Sequence, residues 1–369
     1  MKQPEEPDTA APEPEPQPAR RPARPSAAVR AGALLALLVV TAVWGTTFAM
    51  VKEALLSMPP FTFLAARFLL ASALLMPVLP LARRGGGGRG GEGGPTANRS
   101  LARDLWEGVK AGVFVCLGYS FQTLGLRWTG AAEAAFITAT SVVMVPALSP
   151  WLAGLRPSAP TWVGVATATS GLALLTLGEA AGVRGLGPGT AAGDALAHAS
   201  AAASGPFGAL TPLAGDLLVA LCALAFALQI LFVGRVAARC HPFPLALGQT
   251  LTVTVLCGLA AIGLERPLWG PPSPQAWAAL GVTAVLATFL ALVVQGAAQR
   301  VATPTEAALV FSTEPVFAAV FAWAYSGEAL GPVGLVGAAF ILAGTLIPEL
   351  APGRQRRAGG RKAPAGPGG

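Results

Sequence analysis

Charge is what this chain has least of. Of its 369 residues only 12% are Asp, Glu, Lys or Arg, while 53% are hydrophobic and the mean hydropathy is +0.60. That balance is too apolar for a soluble domain and indicates a polytopic membrane protein. Histidine is nearly missing: His198 and His241 are the whole complement, which leaves no paired-histidine zinc motif. Cysteine is almost as scarce. Cys116, Cys222, Cys240 and Cys257 lie in apolar segments or at a basic helix end without C-x-x-C spacing. They suggest neither a metal site nor a disulfide framework, and read as small core residues. The chain has no Gly-x-Ser-x-Gly, and its glycine run Gly85–Gly94 lacks the Gly-Lys-Ser/Thr ending that holds a phosphate, so the run reads as a flexible loop. Without a general base, a nucleophile elbow or a nucleotide loop, no enzyme, cofactor or metal is expected. The net charge of +7 comes from arginines in tails and loops beside apolar runs. Anionic lipid and the insertion machinery account for them, so nucleic acid is not an expected partner.

The chain is rich in long apolar runs. Ten are each long enough for a bilayer core of about 30 Å: Ala31 to Val51, Pro60 to Leu81, Leu105 to Leu126, Ala131 to Leu152, Thr161 to Leu177, Asp216 to Val236, Phe243 to Leu264, Gln275 to Gln299, Thr305 to Tyr325 and Val333 to Leu350. Residues 1–29, with alternating Pro and Glu followed by Arg20, Arg21 and Arg24, read as a disordered tail. No short signal-type core precedes the first run, so that run is expected to stay in the mature protein. Residues 179–214 form an Ala/Gly-rich link, and 351–369 a basic disordered tail.

The second half repeats the first. At one constant offset, Gln122, Arg127, Glu133, Thr140, Gly164 and Gly171 meet Gln295, Arg300, Glu306, Thr313, Gly337 and Gly344. The repeats are residues 30–178 and 215–350, with five spans each. With a cytoplasmic N-terminus, the inner segments carry Arg30, Arg83, Arg84, Arg99, Arg103, Arg156, Arg235, Arg239, Arg300 and the basic C-terminal tail. The outer ones keep Lys52, Arg127, Arg184 and Arg266. This positive-inside pattern puts both termini in the cytoplasm of a multi-pass cell-membrane protein. An odd number of spans per repeat inverts the second copy, an arrangement that underlies alternating access in many secondary transporters.

Trp44-Gly45-Thr46-Thr47-Phe48, Leu64-Ala65-Ala66-Arg67, the run from Thr313-Glu314-Pro315 to Gly327-Glu328, and Gly337 to Gly344 together resemble the EamA-type drug/metabolite transporters. The resemblance covers nearly all of 31–350. It implies an all-α fold of ten transmembrane helices in two inverted five-helix repeats, carrying small organic solutes such as amino acids, metabolites or drugs, usually outward. The chain departs from that pattern in its long link, and in Ser141-Val142 where the second repeat has Glu314-Pro315. The rival class is a non-transporting structural or regulatory membrane protein. The absence of a nucleotide-binding domain points to transport driven by protons or another ion, or to facilitation.

Certain polar residues fall inside the spans. Arg67 lies about 10 Å below the outer face at 1.5 Å per residue. Such a buried guanidinium either pairs structurally or meets an anionic group of the solute. Its repeat counterpart is Gln249. Glu314 falls near the midplane beside Pro315, which cannot donate to the Phe311 carbonyl. It is a candidate proton or cation coupling site, or else a carboxyl bonded to a neighbouring helix. Glu133 and Glu306 suit helix capping, with Thr303-Pro304-Thr305-Glu306 forming a capping box; a paired gating role at opposite faces is the alternative. Tyr119, Gln122, Gln229, Gln249 and Gln295 either bond between helices or line a solute cavity. Trp44 and Phe48, one turn apart, either pack or wall that cavity. Gly164, Gly171, Gly337 and Gly344 suit close helix packing or a homodimer contact.

Overall fold

The structure, a computed structural model, describes residues 26–80, 95–129, 131–180, 212–265, 272–326, 331–350 and 356–357. The glycine run, residues 181–211 of the link, and the two tails apart from Ser26–Val29 and Arg356–Arg357 lie outside the described residues. So do Arg184, Arg266 and Gly327-Glu328.

Nearly everything described is helix: α1 Ala27–Ala54, α2 Pro60–Leu75, α3 Pro95–Gly125, α4 Ala131–Ala139, α5 Ser141–Leu152, α6 Ala159–Ala180, α7 Pro212–Val236, α8 Pro242–Leu264, α9 Pro274–Ala284, α10 Ala291–Ala298, α11 Pro304–Phe311, α12 Glu314–Ser326 and α13 Pro332–Leu350. A wide π turn, Val285–Leu290, joins α9 to α10. Proline starts many of these helices because its missing N–H costs nothing in a first turn. Side chains cap others: the Ser26 hydroxyl accepts from Val29 N at 3.3 Å, and Ser273 accepts from Ala276 N at 3.1 Å. Leu155–Arg156 (β1) and Arg356–Arg357 (β2) pair antiparallel.

Among the described residues six helical stretches are long and apolar enough to cross a membrane: Ala27–Ala54, Pro60–Val78, Glu133–Leu152, Leu213–Arg239, Pro242–Leu264 and Pro274–Ala298. Two shorter apolar helices, Ala159–Leu175 and Pro332–Pro348, accompany them. The outer surface of the bundle is itself apolar: Leu35, Leu69, Leu259 and Val336 are exposed, and Trp151 is 78% exposed. Such a surface suits lipid as its solvent, and the chain is an all-α membrane protein.

Packing follows the small residues. The helices α6 and α13 cross antiparallel, with Gly164 against Gly344 and Gly171 against Gly337; a Cβ on Gly171 would lie 2.6 Å from the Gly337 carbonyl oxygen and 2.6 Å from Ile341 N. Gly108 of α3 and Gly248 of α8 meet backbone to backbone. At Gly45 of α1 a Cβ would sit 2.8 Å from Ala318 N and 2.9 Å from the Glu314 carbonyl oxygen, so α1 rests directly on the first turns of α12. Of the dispersed core, the largest part packs Phe63, Phe68, Tyr119 and Leu247, and another part packs Leu37, Ile230, Leu231 and Phe311.

Two spans that hydropathy joins are broken. The run expected from Ala131 to Leu152 divides at Thr140, and that from Thr305 to Tyr325 divides at Ser312–Thr313. Both breaks have the same construction. Thr140 donates its hydroxyl to the Ile137 carbonyl at 2.6 Å and its N–H to the same oxygen at 3.1 Å; Thr313 does both to Val310 at 2.6 and 3.1 Å. A threonine turned onto its own i−3 carbonyl tightens the chain into a 3₁₀-type turn. Pro315 therefore does not explain the break alone, since Val142 stands at the matching place in the first copy. The helix that holds the third apolar run starts earlier than hydropathy suggests, at Pro95 instead of Leu105.

Candidate functional site

The two breaks face one cavity, which α1, α3, α7 and α10 complete. Its interior leaves about 60 Å³ in which a water-sized sphere can be centred, enough for a few waters at roughly 15 Å³ each on that measure. One wall is aromatic: Trp44, Phe48, Tyr119, Phe226 and Phe311. Neutral hydrogen-bonding groups come from Thr47, Gln122, Thr138, Ser141, Gln229 and Gln295. Glu314 is the one charged residue lining it among the described residues.

Several wall groups are held from behind. Trp44 donates its Nε1–H to the Ala287 carbonyl at 2.9 Å and packs on Phe311 with ring centroids 5.1 Å apart. Ala287 lies within the π turn, a widened geometry that recurs at functional sites. The same carbonyl takes Arg67 Nη2 at 3.5 Å, while Arg67 Nε donates to Thr288 Oγ1 at 2.7 Å. Arg67 is only 3% exposed and lies outside the cavity lining. Its guanidinium carbon stands 4.5 Å from the centre of the Tyr119 ring, and no carboxylate is within ion-pair reach of it among the described residues. Tyr119 is therefore the screen between this cation and the cavity. It is fixed edge-on against Phe68 and Phe226 at 5.3 and 5.1 Å.

A glutamine cluster backs the opposite side. Gln229 Nε2 donates to Gln249 Oε1 at 3.0 Å, Gln295 Nε2 donates to Gln229 Oε1 at 2.9 Å, and Gln249 Nε2 reaches the Leu245 carbonyl at 3.3 Å. Gln249 itself does not line the cavity. Gln122 Nε2 donates to Thr138 Oγ1 at 3.4 Å. Neutral amides bonded into such a network satisfy one another while presenting edges to a solute.

Glu314 opens α12 immediately after the second break. It is 8% exposed, and no hydrogen bond to its carboxylate is present among the described residues. A buried carboxylate without a protein partner is costly, and membrane proteins retain such groups on substrate and ion pathways.

The ends of the bundle are fastened separately. Glu306 completes a capping box with Thr303, accepting from Thr303 N at 2.9 Å, and also pairs with Arg30 at 2.6 Å. At the other end of α1, Lys52 Nζ donates to the Thr129 carbonyl at 3.0 Å, and Thr129 Oγ1 donates to Asp216 Oδ1 at 2.8 Å. Glu133 is exposed in the first turn of α4.

Trp44, Phe48, Tyr119, Gln122, Gln295 and Glu314 thus converge on the cavity. Arg67 and Gln249 stand one layer behind it, and Glu133 and Glu306 stand away from it. Reading the sequence missed Thr47, Thr138, Ser141, Phe226 and Phe311. The signal for three of them was the Thr140/Thr313 pair, because Thr138, Ser141 and Phe311 are the residues that a break turns inward.

A helical membrane bundle around a small aromatic cavity edged with amides and hydroxyls, with one charged residue in its lining among the described residues, fits a membrane transporter. The chain belongs to the EamA-like transporter family, whose sequence model matches residues 30–177 and 213–348. It is 30% identical over 317 residues to an uncharacterized transporter of Archaeoglobus fulgidus, a match covering 86% of this chain and 85% of that one. A solved crystal structure has the same fold, with a TM-score of 0.60 and 19% identity, covering 86% of this chain and 97% of the other. These relationships point to a transporter rather than an enzyme, with a small-molecule solute as partner.

Proposed function

We propose that the protein is a secondary transporter that moves small organic solutes outward by alternating access, with Glu314 as its proton-coupling group. The carrying observation is the carboxylate of Glu314, inside the cavity at a helix break and without a hydrogen-bond or ion-pair partner among the described residues. In this reading ten spans form two inverted repeats. Supporting the inversion, Gly164 meets Gly344 and Gly171 meets Gly337, an exchange of repeat-equivalent residues that an in-plane two-fold axis produces. The matched breaks at Thr140 and Thr313 give each repeat one discontinuous helix at the cavity, as alternating-access sites commonly have.

Trp44, Phe48, Tyr119, Gln122 and Gln295 contact the solute, while Arg67 and Gln249 position Tyr119 and Gln229. The Arg30–Glu306 pair latches the cytoplasmic end, and Glu133 belongs to the outer gate. Both termini are cytoplasmic. The test is flux into sealed proteoliposomes, screened over amino acids and other small metabolites after a deletion host has narrowed the choice. Reporters fused within 85–94 and 179–214 should read cytoplasmic and external. Same-side reporters remove the inverted repeat, and absence of flux for every solute that the host identifies favours a non-transporting role.

A further inference from the structure

A second concavity lies on the outside of the bundle, away from the solute cavity. It is a groove of about 640 Å³ between the start of α1, the turn Ala237–Arg239 and the end of α10. Its walls are almost wholly small and apolar: Ala33 and Ala36 on one side, Val294, Ala297 and Val301 on the other. From Val29 to Ala36 it follows α1 for roughly 10 Å at 1.5 Å per residue. At its lip is a single cation, Arg300, which is exposed and has no carboxylate within ion-pair reach among the described residues. The nearby Arg30 is engaged by Glu306 at 2.6 Å.

We propose that this groove holds an anionic glycerophospholipid of the cytoplasmic leaflet, one acyl chain along the alanines and its phosphate on Arg300. The groove opens onto the lipid-facing surface, flanked by exposed Val29, Leu35 and Val39, where the surrounding solvent is acyl chain. An apolar trough ending in one guanidinium that is unpaired among the described residues matches the two halves of such a lipid, and Arg suits phosphate by presenting two donors in one plane. Positive charge follows the same end of the bundle in Arg235, Arg239 and Arg300, the arrangement that attracts the anionic inner leaflet. The lipid would touch α1 one turn from the Arg30–Glu306 pair. The site is independent of the coupling assigned to Glu314 and stands if that reading fails.

The test uses the purified, delipidated full chain and native mass spectrometry, comparing phosphatidylglycerol with phosphatidylcholine of the same acyl composition. Wild-type protein should prefer phosphatidylglycerol by about fivefold, the worth of ~1 kcal/mol for one basic residue at the headgroup. Arg300→Gln should lose that preference, and Arg300→Lys should keep part of it. Arg156→Gln, a change in β1 away from the groove, should leave it intact. Ala297→Leu, which fills the groove, should weaken both lipids while circular dichroism stays native. The proposal is overturned if headgroup preference is absent in wild type or survives Arg300→Gln. Undiminished binding by Ala297→Leu, or displacement of the lipid by inorganic phosphate alone, also overturns it. So does preference that appears only when residues 1–25 are removed, since the chain's own tail would then be the occupant.

Discussion

Replacing Glu314 with glutamine tests the coupling mechanism most directly. The substitution keeps the shape and hydrogen-bonding edges of the side chain but removes the one charged group that lines the cavity among the described residues. If Glu314 is the coupling group as proposed, one titrating carboxylate sets the stoichiometry at one proton per cycle. With the membrane potential clamped to zero, a gradient of one pH unit is worth about 1.4 kcal/mol, so exchange of one proton for a neutral solute should saturate near tenfold accumulation. That exchange moves one net charge per cycle, so unclamping the potential to 100 mV adds ~2.3 kcal/mol. The assay is counterflow and uphill uptake of the same solute in proteoliposomes. Glu314→Gln should sustain counterflow near the wild-type rate while accumulation falls to onefold, because Gln keeps the shape of the cavity but can neither take up nor release a proton. Uphill transport by the Gln variant at wild-type amplitude would refute the assignment. Wild-type accumulation near a hundredfold at one pH unit and zero potential would refute the single-site stoichiometry.

Arg67→Gln removes the cation stacked on Tyr119 and the bond to Thr288. A lower melting temperature and a severalfold rise in the KM for transport are expected, from a loss of ~1–2 kcal/mol of cation–π attraction at a desolvated site; unchanged values in both assays would end the positioning role. Gly171→Ala and Gly281→Ala should move stability in opposite directions. The first forces a Cβ to 2.6 Å from backbone on α13, whereas nothing lies within 4 Å at the second. Overpacking costs about 1–3 kcal/mol, while Ala for Gly within a helix gains up to ~1 kcal/mol; thermal unfolding in detergent compares them. His241, between the spans, is held below its ordinary value of 6.5 by burial and then by Arg300, with Asp104 opposing. The unfolded chain then binds a proton that the folded one refuses, so this contribution is full above pH 6.5 and is lost as pH falls through it toward the folded value. The melting temperature should drop between pH 7 and pH 5, less steeply in His241→Gln; equal slopes would count against the role of His241.

Much of this was legible one segment at a time. Apolar runs show where helices lie because a bilayer leaves backbone polar groups no other partner. The capping box at Thr303–Glu306 is read from four consecutive residues because its bonds close within one turn. The pairing of Gly164, Gly171, Gly337 and Gly344 follows from their spacing, although which glycine meets which does not. The extension of the third apolar run's helix back to Pro95 escaped hydropathy because its first turns carry Arg99 and Arg103.

What the sequence determined by itself is what local chemistry and composition decide: a helical membrane chain, the matching residues of its two halves, and a carboxylate and a guanidinium within apolar runs. Only the tertiary structure decided what those two charges face. Glu314 opens onto the cavity because Thr313 turns the chain at the break, while Arg67 is screened by Tyr119 from α3 and bonded to the π turn beyond α9. Arg67 and Thr288 are far apart in sequence, as are Gln229 and Gln295. No local pattern encodes their meeting, because side-chain bonds between spans are fixed by helix packing, and that packing is set by glycines whose partners lie in the other half of the chain.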